Sequence, residues 1–75
     1  MSKNLISTKE IVEKYGIPYS TVNHYTITGL LIVADRRKNM RLYDEAQVTK
    51  RLAAITRLRG KGYPLHLIQQ ELNKA

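Results

Sequence analysis

The side chains best suited to recognition in this 75-residue chain fall in two short stretches. Between Pro18 and Gly29, Ser20, Asn23 and His24 recur at spacings of three and four, which puts them on one side of a helix. An asparagine carboxamide offers a donor and an acceptor side by side, a serine hydroxyl can play either role, and an imidazole adds a nitrogen pair. The second stretch is Arg36-Arg37-Lys38, with Arg41 just beyond it. Consecutive cations of this kind attract polyanions. The chain as a whole carries +7, thirteen Lys and Arg against six Asp and Glu, and the excess is lopsided. Residues 1–35 sum to zero, whereas residues 36–75 hold ten bases against three acids. Such a balance prefers nucleic acid, an anionic membrane or an acidic protein.

Several classes of function are disfavoured by the same residues. There is no cysteine, so thiolate zinc sites, iron–sulfur clusters and disulfides are excluded. The two histidines, His24 and His66, fall on different elements, with His66 read as a surface residue; no metal and no cofactor are expected. Most of the few acids sit at helix starts, and no carboxylate pair, Ser/His/Asp set or glycine-rich phosphate loop is evident, so the chain is not expected to be an enzyme. No apolar run approaches the roughly 18 residues of a membrane span, and the start of the sequence lacks the apolar stretch of a secretory signal. The absence of cysteine fits a reducing compartment, and a cytoplasmic, nucleoid-associated location is expected.

The elements that must position the two stretches announce themselves locally. Ser7-Thr8-Lys9-Glu10 is a capping box, with Ile6 and Ile11 spaced as its hydrophobic staple. Ile11, Val12 and Tyr15 share a face and Gly16 can end the helix in the left-handed region, giving a first helix over about 8–15. Ile17-Pro18 interrupts the chain, and a second helix runs from Tyr19 to about Thr28, stopped by Gly29. At 100° per residue, Tyr19, Tyr25 and Thr26 cluster around Val22 on the inner side. Ser20, Asn23, His24 and Ile27 face outward. Leu30 to Asp35 is apolar and partly β-branched; with Met40 to Tyr43 it predicts a β-hairpin over about 30–43 whose tip is basic and whose turn uses Asn39 at positive φ. Asp44-Glu45-Ala46-Gln47 resembles a second capping box, with Tyr43 and Val48 as staple. A third helix over about 45–59 buries Val48, Leu52, Ile55 and Leu58, leaving Lys50 and Arg57 on a wet face. Gly60-Lys61-Gly62 ends it, and a fourth helix over about 64–73 buries Leu65, Ile68 and Leu72. The length allows one domain over 1–75, with no linker or repeat.

Two short helices joined by a tight glycine-containing turn, the second with a polar outer face, make a helix-turn-helix, and the basic hairpin follows where a wing belongs. The expected fold is mainly α with a small β-hairpin wing: a winged helix-turn-helix. In their order, ISTKEIVEKYG (Ile6 to Gly16), IPYSTVNHYTITGLL (Ile17 to Leu31), Arg41-Leu42-Tyr43-Asp44-Glu45 and RLRGKGYPLHLIQQEL (Arg57 to Leu72) resemble the DNA-binding domain of MerR-family transcription regulators. The resemblance covers nearly the whole chain. It implies a bacterial regulator that binds near-palindromic double-stranded DNA as a homodimer, often distorting the promoter spacer. The long dimerisation helix that the family usually carries next lies outside the 75 residues.

Carried over by position, Ser20 and Asn23 fall where the family presents basic or polar side chains, His24 and Tyr25 on its aromatic pair, and Arg41 on the wing arginine. The cations usual at positions 20 and 23 are absent, and the usual Asn-Gly at the wing tip is Asn39-Met40. Asn23 is the expected base reader, its carboxamide suited to the adenine edge. Ser20 suits a phosphate or water-mediated contact, and Thr21 a phosphate contact or a helix-stabilising role. Tyr19 either covers the turn or reaches the DNA backbone, His24 is a phosphate contact or a surface imidazole, and Tyr25 a phosphate contact or a packing residue. Arg36, Arg37, Lys38 and Arg41 are expected on the flanking backbone or minor groove. An architectural or excisionase-like DNA-binding protein is the nearest alternative. A protein-interaction or anionic-membrane module built on the third helix is more distant, because its apolar face is needed for the core.

Overall fold

A computed structural model describes residues 4–74. Its elements, in chain order, are β1 (Leu5–Ser7), α1 (Thr8–Tyr15), α2 (Tyr19–Ile27), β2 (Asp35–Arg37), β3 (Met40–Asp44), α3 (Glu45–Gly60) and α4 (Leu65–Leu72). The three strands form one antiparallel sheet in the order β1-β3-β2. This is the winged helix-turn-helix expected from the sequence, with one strand more than the hairpin alone.

α1 is built by its own residues. The Ser7 Oγ accepts from the Glu10 amide at 3.2 Å and the Ser7 amide donates to Glu10 Oε1 at 2.9 Å, so both arms of the capping box close. Gly16, at φ 66°, ends the helix with its amide on the Val12 carbonyl. At the start of α3 only one arm forms: Asp44 accepts from the Ala46 amide at 3.1 Å. Both staple pairs, Ile6 with Ile11 and Tyr43 with Val48, enter a single apolar cluster with Val22 and Leu31.

A second cluster joins Leu30, Ile55 and Ile68. Tyr25 and Leu52 pack against both, so the two clusters meet under α2. Of the residues expected in the core, Ile11, Ile55 and Ile68 are fully enclosed, while Val12 and Leu52 are half-buried at cluster margins. On the far side of the molecule, α1 is tied to α3 by the Lys14 ammonium on the Glu45 carboxylate and by Tyr15 on the Thr49 hydroxyl at 2.6 Å. The hydrogen bond to Glu45 holds the Lys14 ammonium above its ordinary value of 10.5.

Three expectations need correction. β1 was not foreseen; it pairs Leu5, Ile6 and Ser7 with Asp44, Tyr43 and Leu42. The first wing strand begins at Asp35, not Leu30. The amides of Leu30 and Leu31 donate instead to the Tyr25 carbonyl, at 2.8 and 3.1 Å, which closes the end of α2 and removes them from any ladder. Both side chains are then swallowed by the core. The third correction is at the wing tip, where the residue at positive φ is Lys38 (54°) rather than Asn39. A two-residue hairpin loop with positive φ at its first central position has the φ signature of a type II′ turn, a place glycine usually occupies.

Candidate nucleic-acid interface

α2 is a short helix with a narrow anchoring face. Val22 is its only fully buried residue, and Pro18 caps its start without a side-chain hydrogen bond. Two of its carbonyls take an extra bond from a threonine hydroxyl. Thr28 Oγ1 donates to the His24 carbonyl at 2.8 Å, and Thr26 Oγ1 donates to the Val22 carbonyl at 2.8 Å. The single Thr26 hydroxyl hydrogen is thereby used, so at 2.7 Å the Tyr43 hydroxyl must be the donor to Thr26 Oγ1. That bond joins the helix to the central strand of the wing. Neither Thr26 nor Tyr43 was singled out for this role, because each looks like an ordinary inward-facing residue of its own element.

The outer face is where helical periodicity put it. Ser20 and His24 are exposed, Asn23 and Thr21 half-exposed, and Ile27 stands 74% exposed at the far end of the same stripe. Tyr25 is half-buried between the two clusters, its ring 6.4 Å from that of His24. Packing therefore accounts for most of the Tyr25 ring. Tyr19 departs from its inward angular position and is 59% exposed. As the first residue of the helix it has no preceding turn to cover, and it leans toward the wing instead.

The wing register fixes where the cations go. Asp35, Arg36 and Arg37 lie opposite Leu42, Arg41 and Met40. Strand alternation puts Arg36 and Arg41 on one face, the face that Tyr43 shares. Two arginines directly opposite each other repel, and such pairs destabilise a ribbon unless an anion lies between them. Among the described residues neither has an acidic partner, whereas Arg37 is answered in part by Asp35 at 3.9 Å. Lys38 occupies the strained turn position. A lysine held in the left-handed region costs about 1–2 kcal/mol relative to glycine, so the wing accepts strain to carry a cation at its tip.

Between the start of α1, the first residue of α2 and the wing tip lies a groove of about 360 Å³, lined by Ser7, Thr8, Lys9, Tyr19, Asn39, Met40 and Arg41. Lys9 and Arg41 supply positive charge, while Tyr19 and Met40, both exposed, supply apolar surface. Lys9 was not among the expected contacts. No local pattern singles it out, since it reaches the groove only because the start of α1 abuts the wing. Among the described residues no group of His, Asp and Glu could hold a metal ion, and no helix is long and apolar enough to cross a membrane.

A helix-turn-helix with an uncharged polar outer face, a cationic wing beside it and a groove between them is the arrangement of a DNA-binding regulator domain. A family model described as MerR HTH family regulatory protein matches residues 6–75, nearly the whole chain. The chain belongs to this family and carries its helix-turn-helix DNA-binding domain. No curated protein and no solved structure matches it.

Proposed function

We propose that the chain reads a specific duplex sequence, with α2 in the major groove and the wing on the flanking backbone or minor groove. Asn23 is the base reader; Ser20 and His24 on the same stripe, with Thr21, Tyr19 and the hydroxyl edge of Tyr25, meet the adjoining backbone. Arg36, Arg37, Lys38 and Arg41 neutralise phosphates. Lys9 joins them across the groove, where Tyr19 and Met40 face the sugar edges of the same strand. The observation that carries this reading is the opposed Arg36–Arg41 pair on the wing face continuous with Tyr43, the residue bonded to α2. Two cations without an acidic partner on a face that leads back to α2 support a phosphate contact next to the helix.

One copy of such a module buries only about 600–1,000 Å² on DNA. Binding to a near-palindromic element as two copies, in a bacterial cytoplasm, completes the proposal.

The test begins with selection of duplexes from a random 30-base-pair library, followed by affinity measurements on selected and random DNA over a salt series. If four to six phosphates are neutralised, log K falls with log salt at a slope of about −4 to −5. Replacing Arg36, Arg37, Lys38 and Arg41 together by alanine flattens the slope by about three to four and weakens all sequences alike. Asn23→Ala relaxes preference at one base pair, by about 1–3 kcal/mol for a bidentate contact. Equal affinity for selected and random duplexes would overturn sequence-specific reading and favour an architectural role.

A further inference from the structure

We infer that Arg51 and Asn73 form a latch that sets the pose of the reading helix, making them positioning residues for sequence discrimination although neither faces the DNA-reading stripe. The inference rests on the duplex-reading function proposed above.

Four groups, from α3, from the end of α4 and from the turn after α2, close a polar ring. Asn73, just past the end of α4, donates its Nδ2 to the Gly29 carbonyl at 3.0 Å and accepts Arg51 Nη2 on its Oδ1 at 3.1 Å. Arg51, on α3, turns its other terminal nitrogen, Nη1, to the Leu30 carbonyl at 3.3 Å. Two consecutive carbonyls at the exit of α2 are thus held by one two-headed guanidinium and one two-ended carboxamide. Arg51 spans two acceptors with the two arms of its planar guanidinium, and Asn73 donates from one end of its carboxamide while accepting at the other.

The exit turn is shaped to receive them. Gly29 sits at φ +83°, and a β-carbon there would come within 3.3 Å of Gln69 Nε2, so α4 lies directly against the turn. At its other end α2 has only Pro18 as a cap, and a single fully buried side chain, Val22, resists its rotation. The latch adds to the Tyr25 packing, the Tyr43–Thr26 bond and the Leu30 and Leu31 amides in fixing where Asn23 points. Base reading demands these constraints: a productive contact tolerates displacements of only about 0.5 Å and 10–20°.

The ring predicts an effect on discrimination that charge and stability do not reproduce. Arg51→Lys keeps the net charge but has no fork, and Asn73→Ala removes both amide bonds without changing charge. Each is measured in the whole chain for affinity to duplexes selected by the wild type, affinity to random duplex, salt slope and thermal unfolding. Each variant is expected to lose about tenfold in affinity for selected DNA, within the range one bidentate base contact commands. Random-duplex affinity stays within about twofold and the salt slope is unchanged. The double variant loses no more than either single, because both break the same ring. Unchanged affinity for selected DNA would overturn the latch. So would an equal loss on selected and random DNA accompanied by lower unfolding temperature, which marks a purely structural role, or additive losses in the double variant. If the wild type itself fails to discriminate, the duplex-reading function falls and the latch falls with it. Wild-type discrimination with indifferent variants overturns the latch alone.

Discussion

The two helices of the helix-turn-helix are nearly the same length and are held in opposite ways. α1 is closed at both ends by its own sequence, through the Ser7–Glu10 box and the left-handed Gly16. α2 has no side-chain cap at its start, and its exit is finished by Thr28, by the amides of Leu30 and Leu31, and by Arg51 and Asn73 from distant elements. A helix with one polar, exposed face and one fully buried side chain has little surface for its own anchoring. Its position is then delegated to neighbours, and the helix whose task is only to support can be specified locally.

Changing the shared support should produce the largest effect. Tyr43 is completely enclosed and touches both halves of this arrangement, so Tyr43→Ala is expected to cost about 3–5 kcal/mol, read by denaturant unfolding. Tyr43→Phe keeps the ring and removes only the donor to Thr26, costing about 1 kcal/mol. Its distinguishing readout is DNA selectivity, which should fall with Tyr43→Phe while random-duplex affinity holds. Unaltered selectivity would sink the idea that this bond orients α2.

The two exit glycines sharpen the contrast at smaller magnitude. Gly16→Ala meets open space, so it carries only the left-handed backbone cost of about 1–2 kcal/mol. Gly29→Ala adds to that cost the displacement of Gln69, and should destabilise more and impair selectivity as well. Equal unfolding midpoints for the two variants would show that the approach of α4 to the turn carries no energetic weight.

The smallest effect concerns the Lys14–Glu45 tie behind α1. Its folded pKa is raised above 10.5, so its contribution is fully present below that value and is lost as pH rises through the raised one. The difference in unfolding temperature between wild type and Lys14→Met should therefore stay constant from about pH 7 to 9 and shrink only in strong alkali. A difference that changed near neutrality would assign the tie to another group.

Legibility in the sequence followed the range of the interactions. The capping box and Gly16 were readable because all their partners lie within four residues. The polar stripe of α2 was readable because Ser20, Asn23 and His24 obey a fixed angular period. β1 was not, since three residues are too few to show alternation and their partners lie beyond residue 40. Leu30–Asp35 looked like a strand from composition, but the Tyr25 carbonyl competes for the two amides that would have begun it. For the interface, the basic wing was plain from charge alone, whereas the placement of Lys9 depends on tertiary packing. Arg51 and Asn73 were invisible for the same reason: an arginine on a wet-looking helix and an asparagine near a helix end carry no local mark of a shared partner.

The segment from Leu30 to Ala34 has a consequence for how this domain can vary. It links α2 to the wing, yet Leu30 and Leu31 lie inside the core and the Ala34 amide already bonds the Leu42 carbonyl at 2.8 Å. A residue inserted or deleted there would pull a buried leucine out of place or shift the hairpin register, so the spacing between helix and wing is fixed in length. At Lys38 and Asn39 the chain is exposed and tied to nothing but its own turn, the kind of site where insertions are tolerated. The reach of the wing can thus lengthen or shorten from its tip while its root stays in step with the helix.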